Sequence, residues 1–253
     1  MIRRRLPGSN AERCGVGRTF RHVFFDLDGT LIDPRVGIVA CLQYALDAIG
    51  TPVPEAASLE RFIGPPLAST FGELLGAEDR ERIDRAIAAY RVRFGATGLF
   101  ESRVYDGVRD MLGALRATDR SLWVVTAKPT VYSVRIVEHH GLRAYFRNVH
   151  GSELNGDRSD KGALIGHVLE TEQLSPRDVV MVGDRVHDVL GARANGVTSI
   201  AVRWGYGSLD ELTTGRPDII VASPAEVVRR ICQAAQCRRI RERPAAARRR
   251  DRR

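Results

Sequence analysis

The chain has 253 residues, of which 43% are hydrophobic and 28% charged, and its formal net charge is +8. These values are typical of a soluble globular protein with one large or two modest domains, and they exclude a small scaffold held together by disulfides. No apolar run approaches the roughly 18 residues that a membrane-spanning helix needs. Residues 6–10 lack the apolar stretch of a secretory signal peptide, so secretion is not expected.

The cysteine pattern indicates a reducing compartment. The four cysteines, at positions 14, 41, 232 and 237, form no CxxC pair and show no spacing with histidine that is typical of a metal site. We therefore expect reduced thiols in a cytoplasmic protein.

The positive charge is concentrated at the two ends of the chain. Residues 1–21 carry six arginines and one acidic residue, and residues 238–253 carry nine arginines and two acidic residues, whereas residues 22–237 have a net charge of −4. Neither end shows the apolar spacing of a helix, and the sequence predicts disordered basic extensions over 1–20 and 238–253. The C-terminal arginines allow binding of nucleic acid or another anionic surface as a secondary property.

Short apolar runs alternate with helical patterns through most of the chain. Several of the helical patterns end in glycine, a frequent helix terminator. Alternating strands and helices predict an α/β fold with a doubly wound, mainly parallel sheet. In chain order, strands are predicted over residues 22–26, 121–126, 178–183, 198–202 and 218–221, and helices over residues 108–117, 131–140, 161–172, 187–195 and 225–234.

The segment from residue 34 to residue 103 interrupts this alternation. It contains four helix-like patterns and no convincing strand, so an all-helical insertion after the first strand is the simplest interpretation. The α/β core is then predicted over residues 21–33 and 104–237. The four helices of the insertion are predicted over residues 36–49, 55–62, 67–75 and 79–94.

Polar side chains end three of the predicted strands. In an open α/β sheet, ligands bind beyond the carboxyl ends of the strands, which makes these residues candidates for a site. The first strand ends in Asp26-Leu-Asp28-Gly-Thr, and the period of a strand puts both carboxylates on one side. Two adjacent carboxylates suit a cation together with a nucleophile and an acid/base group, with a structural Asp-Gly turn as the alternative.

The other two strand ends carry a hydroxyl group and two further carboxylates. Thr126, with backbone N–H groups such as that of Ala127, could hold a phosphoryl oxygen, and an ordinary helix N-cap is the alternative. Asp184 leaves the third strand, and Asp188, four residues later, shares a helix face with it. A DxDGT motif after an apolar strand, joined downstream by these two polar ends, is a specific combination.

In the order of these motifs, the sequence resembles the haloacid dehalogenase-like (HAD) superfamily over about residues 21–235. Four segments resemble more narrowly its phosphoglycolate phosphatase and 5′-nucleotidase-like branch. The resemblance implies a Rossmann-like core and identifies residues 34–103 as the family's helical cap. The four segments are Phe62-Ile-Gly-Pro-Pro-Leu67, Thr126-Ala-Lys-Pro129, Gly183-Asp-Arg-Val-His-Asp188 and Gly205-Tyr-Gly-Ser208.

The resemblance also implies roles for the motif residues. It makes Asp26 the nucleophile and Asp28 the general acid/base, and it implies Mg²⁺ as the cofactor. The Asp26 carboxylate, the Asp28 main-chain carbonyl and Asp184 would hold the metal, with Asp188 in support. The phosphate-binding residues would be Thr126, Ala127, Lys161 and Lys128.

Lysine usage points to the same region independently. Of 39 basic residues only Lys128 and Lys161 are lysines, and both lie in the proposed site. A compact ammonium can pair with phosphate where a forked guanidinium does not fit. Lys161 matches the family's phosphate-binding lysine, whereas Lys128 can instead face the substrate.

The implied function is that of a Mg²⁺-dependent phosphomonoesterase with an aspartyl-phosphate intermediate. A nucleoside 5′-monophosphate or 2-phosphoglycolate is the expected substrate, and the oligomeric state is open. A phosphomutase, a polyanion-binding protein acting through the arginine-rich tail, and a catalytically inactive member are alternatives. A phosphonatase is excluded because its Schiff base needs a cap lysine, and residues 34–103 contain none. A dehalogenase would need neither Asp28 nor a metal.

The insertion offers further candidates for substrate contacts. Residues 64–66, Gly-Pro-Pro, form a rigid turn that could face the site. Arginines of the insertion could bind a second anionic group, and a solvated helix face is the alternative for each of them. These arginines are Arg61, Arg91, Arg93 and Arg103.

Overall fold

The computed structural model describes residues 20–76 and 79–241, with side chains as far as Cys232. Within these residues the chain forms eight β-strands and ten α-helices. The strands are β1 (His22–Phe25), β2 (Ile32–Asp33), β3 (Arg103–Val104), β4 (Ser121–Pro129), β5 (Asn148–Ser152), β6 (Val179–Gly183), β7 (Thr198–Val202) and β8 (Ile219–Val221). The helices are α1 (Arg35–Ala48), α2 (Ala56–Leu59), α3 (Leu67–Leu75), α4 (Arg80–Ala96), α5 (Val108–Arg116), α6 (Thr130–His139), α7 (Lys161–Thr171), α8 (Val186–Ala194), α9 (Leu209–Gly215) and α10 (Pro224–Arg241).

Six strands form one parallel sheet in the order β5-β4-β1-β6-β7-β8, which confirms the predicted doubly wound α/β class. β1 lies between β4 and β6, with Phe25 level with Val124 on one side and with Val182 on the other. Val23, Phe24 and Phe25 are fully buried, as expected for a central parallel strand covered on both faces. The carboxyl ends of β1, β4 and β6 therefore meet at one edge of the sheet.

Helices pack on both faces of this sheet. On one face, Phe24 belongs to a buried cluster with Leu164 of α7. On the other face, Phe25 belongs to a second cluster that includes Leu112 of α5 and Val227 of α10. The alternation of side chains along β1 thus supplies both halves of the core.

Helices α1 to α4 lie within the segment predicted to be an all-helical insertion. At its two ends, β2 and β3 pair in antiparallel fashion, Ile32 with Val104 and Asp33 with Arg103. Arg103, which the sequence assigned to the helical segment, is therefore a strand residue. Strands of two residues have no detectable period, which explains why the sequence did not predict this ribbon.

An aromatic cluster joins the insertion to the core. The rings of Tyr90 and Phe94 in α4 are stacked with their centroids 5.4 Å apart. The ring of Tyr132 in α6 is nearly perpendicular to that of Phe94, with the centroids 5.2 Å apart, and the ring of Phe71 in α3 is nearly perpendicular to that of Tyr90, with the centroids 6.3 Å apart. Phe94 is thus held in place by contacts from both parts of the molecule.

Besides the β2–β3 ribbon, two elements, β5 and α9, were not predicted from the sequence. β5 has the sequence Asn-Val-His-Gly-Ser, in which Val149 is the one aliphatic residue, and a Cβ at Gly151 would lie 2.3 Å from the carbonyl oxygen of Lys128. β5 therefore forms because its main chain packs closely against β4, and not because its residues follow an apolar pattern. α9 is seven residues long, and the Ser208 side chain caps it by accepting the N–H of Glu211 at 3.0 Å.

Both predicted ends of the globular part need correction. Phe20, assigned to the N-terminal extension, is 4% exposed and belongs to the core, two positions before the start of β1. α10 continues to Arg241, so residues 238–241 of the predicted tail are helical. Arginine has a high helix propensity, and a helix anchored by buried Ile231 extends without a new nucleation cost. The predictions of disorder for residues 1–19 and 242–253 concern segments that the structure does not describe.

None of the helices in the described ranges combines the length and the apolar character needed to cross a bilayer. Cys41 is a buried free thiol, and Cys232 is a partly buried free thiol.

Candidate active site

Three of the predicted carboxylates meet at the carboxyl ends of β1 and β6. Asp26 follows β1, Asp184 follows β6, and Asp188 lies in the first turn of α8. Oxygen atoms of these residues, which we call the carboxylate cluster, all lie within 4.8 Å of one another. The three residues are buried, with 8%, 0% and 2% exposure. The sheet topology thus brings Asp26 next to two carboxylates that lie more than 150 positions later in the chain.

Lys161 is the cation of the carboxylate cluster. Its Nζ lies 2.6 Å from Asp26 Oδ1, 2.8 Å from Asp188 Oδ1 and 3.1 Å from the carbonyl oxygen of Val125. The Asp160 side chain caps α7, which begins at Lys161, and so fixes the main-chain position from which the lysine side chain extends. Burial disfavours the ammonium, but the carboxylates of Asp188 and Asp26 outweigh burial and raise the pKa of Lys161. The lysine is therefore charged at neutral pH.

A second pair, Asp28 and Lys128, lies beside the carboxylate cluster. Lys128 Nζ donates to Asp28 Oδ2, and the two side chains are 9% and 13% exposed. Burial raises the pKa of Asp28, and the Lys128 ammonium only partly offsets this. On the insertion side, Nζ lies 4.8 Å from the centroid of the Phe94 ring. The insertion therefore contacts this pair directly.

The charges of these six side chains do not balance. Four carboxylates and two ammonium groups leave two negative charges uncompensated when every group is ionised. Burial, together with repulsion from Asp26 and Asp188, raises the pKa of Asp184 to about 8. A divalent cation would remove this excess, and an all-oxygen set of ligands suits Mg²⁺. The residues present fit such an ion.

The main chain packs so closely around the Asp184 carboxylate that two neighbouring positions have no room for a side chain. Thr30 Oγ1 donates to Asp184 Oδ1 at 3.1 Å, and the N–H of Tyr206 donates to Oδ2 at 2.8 Å. Gly29 has a φ of +82°, and a Cβ there would lie 2.1 Å from Asp184 Oδ2. A Cβ at Gly205 would lie 2.3 Å from the carbonyl oxygen of Gly29. These glycines permit the approach that orients the Asp184 carboxylate.

Thr126 lies near the end of β4 and is 2% exposed. Its Oγ1 accepts the N–H of Lys128 at 3.3 Å. α6 begins only at Thr130 and has no side-chain cap, so the interpretation of Thr126 as an ordinary N-cap is wrong. The carbonyl oxygen of Ala127 accepts the hydroxyl of Ser152 at 2.7 Å, which ties this segment to β5.

Arg185 was not predicted to be a site residue, although it lies inside the acidic motif. Its Nε donates to Glu211 at 2.9 Å, and its Nη1 donates to the carbonyl oxygen of Ile63 in the insertion at 2.6 Å. Its backbone N–H donates to Asp188 Oδ2 at 3.1 Å. A Cβ at Gly64 would lie 2.8 Å from Nη1, so the turn at 64–66 packs against this arginine. The one feature of the sequence that could have identified Arg185 as a site residue was its position between Asp184 and Asp188.

Tyr206 connects the site to the β2–β3 ribbon. Its backbone N–H bonds Asp184, and its hydroxyl donates to Asp33 Oδ1. Arg103 Nε donates to the other oxygen of Asp33 at 3.1 Å. Burial alone would raise the pKa of Asp33, but hydrogen bonds from Tyr206 and from the N–H of Arg35 outweigh burial and hold that pKa below its ordinary value.

The four arginines predicted as substrate partners all contact protein acceptors. In the described part of the chain, no contact joins any of them to the carboxylate cluster. Arg61 pairs with Glu73 at 2.7 Å, Arg93 with Glu101 at 2.7 Å, Arg103 with Asp33 at 3.1 Å, and Arg91 with the carbonyl oxygen of Leu154 at 2.6 Å.

Comparisons with known proteins agree with this architecture. A 5′-nucleotidase of Pseudomonas aeruginosa is 45% identical over 198 residues, which cover 78% of this chain and 89% of that protein. The tyrosine-protein kinase PtkA of Mycobacterium tuberculosis is 38% identical over 195 residues, covering 77% of this chain and 66% of that protein. A phosphoglycolate phosphatase of Chromobacterium violaceum is 31% identical over 210 residues, covering 81% and 93%.

Among solved structures, a predicted phosphatase from Clostridium acetobutylicum is 40% identical and superposes with a TM-score of 0.81, covering 85% of this chain and 99% of that chain. A family model described as haloacid dehalogenase-like hydrolase matches residues 23–202. This match runs from β1 to β7 and takes in the carboxylate cluster and both lysines. The chain therefore belongs to the haloacid dehalogenase-like hydrolase family.

Proposed function

We propose that the protein is a Mg²⁺-dependent phosphomonoesterase that acts on a small phosphorylated metabolite through an aspartyl-phosphate intermediate. The observation that carries this proposal is the buried carboxylate cluster, neutralised in part by Lys161 and flanked by a second carboxylate, Asp28. The phosphatase and 5′-nucleotidase names of similar proteins support the same class of reaction.

Mg²⁺ would be held by the carboxylates of Asp26 and Asp184 and by the main-chain carbonyl of Asp28, with Asp188 in support. When bound, the ion supplies positive charge that offsets repulsion between the Asp26 carboxylate and an anionic phosphate. The excess of negative charge that the site carries when all of its carboxyl groups are ionised supports this assignment.

Asp26 attacks the phosphorus atom, and the bond between phosphorus and the ester oxygen breaks. Asp28 in its protonated form gives its proton to the leaving oxygen, and the raised pKa of this buried carboxyl suits that role. The Asp28 carboxylate then takes a proton from the water that attacks the aspartyl-phosphate. Inorganic phosphate leaves, and Asp26 and Asp28 return to their starting states.

The phosphoryl oxygens are bound on the side of β4 and α7. The Lys161 ammonium, already 2.6 Å from Asp26, stabilises negative charge on the transferred group. The Thr126 hydroxyl and the main-chain N–H groups from Ala127 onward bind the remaining oxygens. Lys128 faces the substrate from the side of the site that borders the insertion.

A nucleoside 5′-monophosphate and 2-phosphoglycolate are the leading substrates. The insertion reaches the site through Phe94 and Ile63, which favours compact substrates over phosphoproteins and long nucleic acids. The test is a phosphate-release screen of the purified protein against phosphomonoesters, a phosphopeptide and a tyrosine peptide with ATP, with Mg²⁺ and with excess chelator. Release from small esters that stops in chelator is expected. Full activity in chelator, preference for the phosphopeptide, or transfer from ATP to tyrosine would overturn the proposal.

A further inference from the structure

Lys128 lies where the core meets the insertion. Its ammonium donates to Asp28 Oδ2 and lies 4.8 Å from the centroid of the Phe94 ring. Phe94 is 2% exposed and is fixed by Tyr90, whose ring is stacked on it at 5.4 Å between centroids, and by Tyr132, whose ring is nearly perpendicular to it at 5.2 Å. The ring therefore offers the ammonium a rigid, electron-rich face but no hydrogen-bond acceptor.

The two lysines of the site use their three N–H donors differently. Lys161 has three oxygen atoms within 3.1 Å, from Asp26, Asp188 and Val125. Among the residues that the structure describes, Lys128 has one hydrogen-bond acceptor, Asp28 Oδ2. Lys128 therefore retains donors for a further acceptor, and a bound substrate can bring one.

The place of Lys128 relative to a substrate follows from its contact with Asp28. This step rests on the proposed function, in which Asp28 protonates the leaving oxygen. A cation in contact with the same carboxylate then lies next to the alcohol half of the substrate. Lys161, which holds Asp26, lies next to the transferred phosphoryl group instead.

The four insertion arginines that the sequence offered as substrate partners are engaged elsewhere. Each of the four already contacts a protein acceptor, as described above. Lys128 is thus the cation that the contacts place next to Asp28, and its 9% exposure keeps water from screening its charge.

We propose that Lys128 determines substrate specificity by binding a carboxylate on the leaving group. A hydrogen bond between an ammonium and a carboxylate is charge-assisted and strong in a buried setting. Because the ammonium is held on Phe94 and Asp28, it reaches only a carboxylate close to the ester oxygen. The substrate class is therefore that of small phosphomonoesters of hydroxycarboxylic acids, to which 2-phosphoglycolate belongs. A nucleoside 5′-monophosphate presents a neutral sugar at this position.

The experiment compares two substrates that differ mainly in this group. 2-Phosphoglycolate carries a carboxylate where 2-hydroxyethyl phosphate carries a neutral CH₂OH. The wild-type enzyme should prefer 2-phosphoglycolate in kcat/KM. In Lys128→Met, kcat/KM should fall about thirtyfold more for 2-phosphoglycolate than for 2-hydroxyethyl phosphate, mostly through KM, because a hydrogen bond between charged groups is lost. Lys128→Arg keeps the charge and should recover part of the preference.

Arg135 provides a matched control variant. Its guanidinium also lies over an aromatic ring of the insertion, 5.4 Å from the centroid of Phe100, and it donates to the carbonyl oxygen of Gly95 at 3.1 Å. Arg135→Met removes a cation between core and insertion without touching Asp28. The ratio of kcat/KM values for the two substrates should stay at its wild-type value in this variant.

Two outcomes would overturn the role of Lys128 while leaving the proposed function intact. One is an equal loss for both substrates in Lys128→Met, which would mean that the lysine acts only through Asp28. The other is measured on the wild-type enzyme alone and needs no folded variant: hydrolysis of 2-hydroxyethyl phosphate or a nucleoside 5′-monophosphate at least as efficiently as 2-phosphoglycolate. Absence of hydrolysis for every phosphomonoester would instead contradict the proposed function, and the role of Lys128 with it.

Discussion

The core and the insertion contribute to the site in different ways, and the two lysines show the difference. Lys161 is surrounded by oxygen atoms of Asp26, Asp188 and a main-chain carbonyl, all from the α/β core. Lys128 contacts Asp28 from the core and the ring of Phe94 from the insertion. The core surrounds one cation with fixed acceptors, whereas the other has a single hydrogen-bond acceptor among the described residues. Chemistry on the phosphoryl group is thus expected to depend on the core, and choice of the leaving group on the boundary with the insertion.

The largest effect should come from removing the nucleophile on the core side. In Asp26→Asn, an amide replaces the attacking carboxylate, and kcat should fall at least about a thousandfold, or about 4 kcal/mol of barrier, for every phosphomonoester. The melting temperature should not fall, because the variant removes one of the excess negative charges. Steady-state phosphate release with a thermal melt checks both points. More than about a tenth of the wild-type kcat would refute the assignment of Asp26.

Removing the core lysine should have the next largest effect. In Lys161→Met, kcat should fall about a hundredfold by the same factor for 2-phosphoglycolate and 2-hydroxyethyl phosphate, because this ammonium acts on the shared phosphoryl group. The variant should also lose about 3 kcal/mol of unfolding free energy in chelator, since it leaves buried carboxylates without their cation. Kinetics and chemical denaturation test this. A changed ratio between the two substrates would remove the distinction between the lysines.

Crowding the main chain around Asp184 should weaken metal activation. In Gly29→Ala, the new Cβ would lie 2.1 Å from Asp184 Oδ2 at a φ of +82°. The Mg²⁺ concentration for half-maximal activity should rise at least about tenfold, or about 1.4 kcal/mol. Gly50→Ala is the matched control, because Gly50 has a φ of +67° with nothing within 4 Å of its Cβ position.

The control should cost only backbone strain, about 1 kcal/mol of unfolding free energy, and leave the Mg²⁺ requirement unchanged. Equal Mg²⁺ requirements in the two alanine variants would show that Gly29 is needed for the turn alone and not for the orientation of Asp184.

A smaller effect is expected at the ribbon that joins core and insertion. Tyr206→Phe loses the hydroxyl that donates to Asp33 but retains the N–H that donates to Asp184. It should lose about 1 kcal/mol of unfolding free energy at neutral pH, with an unchanged Mg²⁺ requirement. Since the pKa of Asp33 lies below its ordinary value of 3.8, this stabilisation is present at neutral pH and lost as the pH falls through that pKa.

The stability difference between wild type and Tyr206→Phe should therefore shrink as the pH falls below about 4, which chemical denaturation at several pH values measures. A difference that stays constant down to pH 2 would mean that the hydroxyl does not stabilise the charged form of Asp33.

The smallest effect is expected at the C-terminus. A chain that ends at Arg241, the last residue of α10, should keep kcat/KM for small phosphomonoesters within about threefold, because the removed residues lie outside every motif of the site. Affinity for heparin should fall, since the removed segment carries six arginines beyond Arg241. A truncated protein that folds and loses catalysis would show that the arginine-rich segment takes part in the site.

The parts of the fold that could be predicted from sequence are those with a strong local pattern. β1 and β6 are continuous apolar runs, and α3 lies over Leu67–Leu75, the bounds that its periodicity predicts. β5, α9 and the β2–β3 ribbon have weak patterns or are too short for a period, and long-range contacts select them. Arg241 continues a helix that the sequence ends earlier, because propensity carries an anchored helix past its last apolar position.

For the site, the sequence by itself determined which groups are available. Asp26, Asp28 and Asp184 end apolar runs, and the parallel sheet makes such ends converge, so their proximity was predictable. Lys128 and Lys161, the two lysines among 39 basic residues, indicated which cations belong to the same region.

Only the tertiary structure decided which partner each group has. Lys161 pairs with the core cluster, whereas Lys128 pairs with Asp28 and the ring of Phe94. Arg185 bonds Ile63 of the insertion across 122 positions of the chain. Such pairings depend on how the insertion packs on the core, and a local pattern of residues contains no information about groups that only packing brings within a few ångströms.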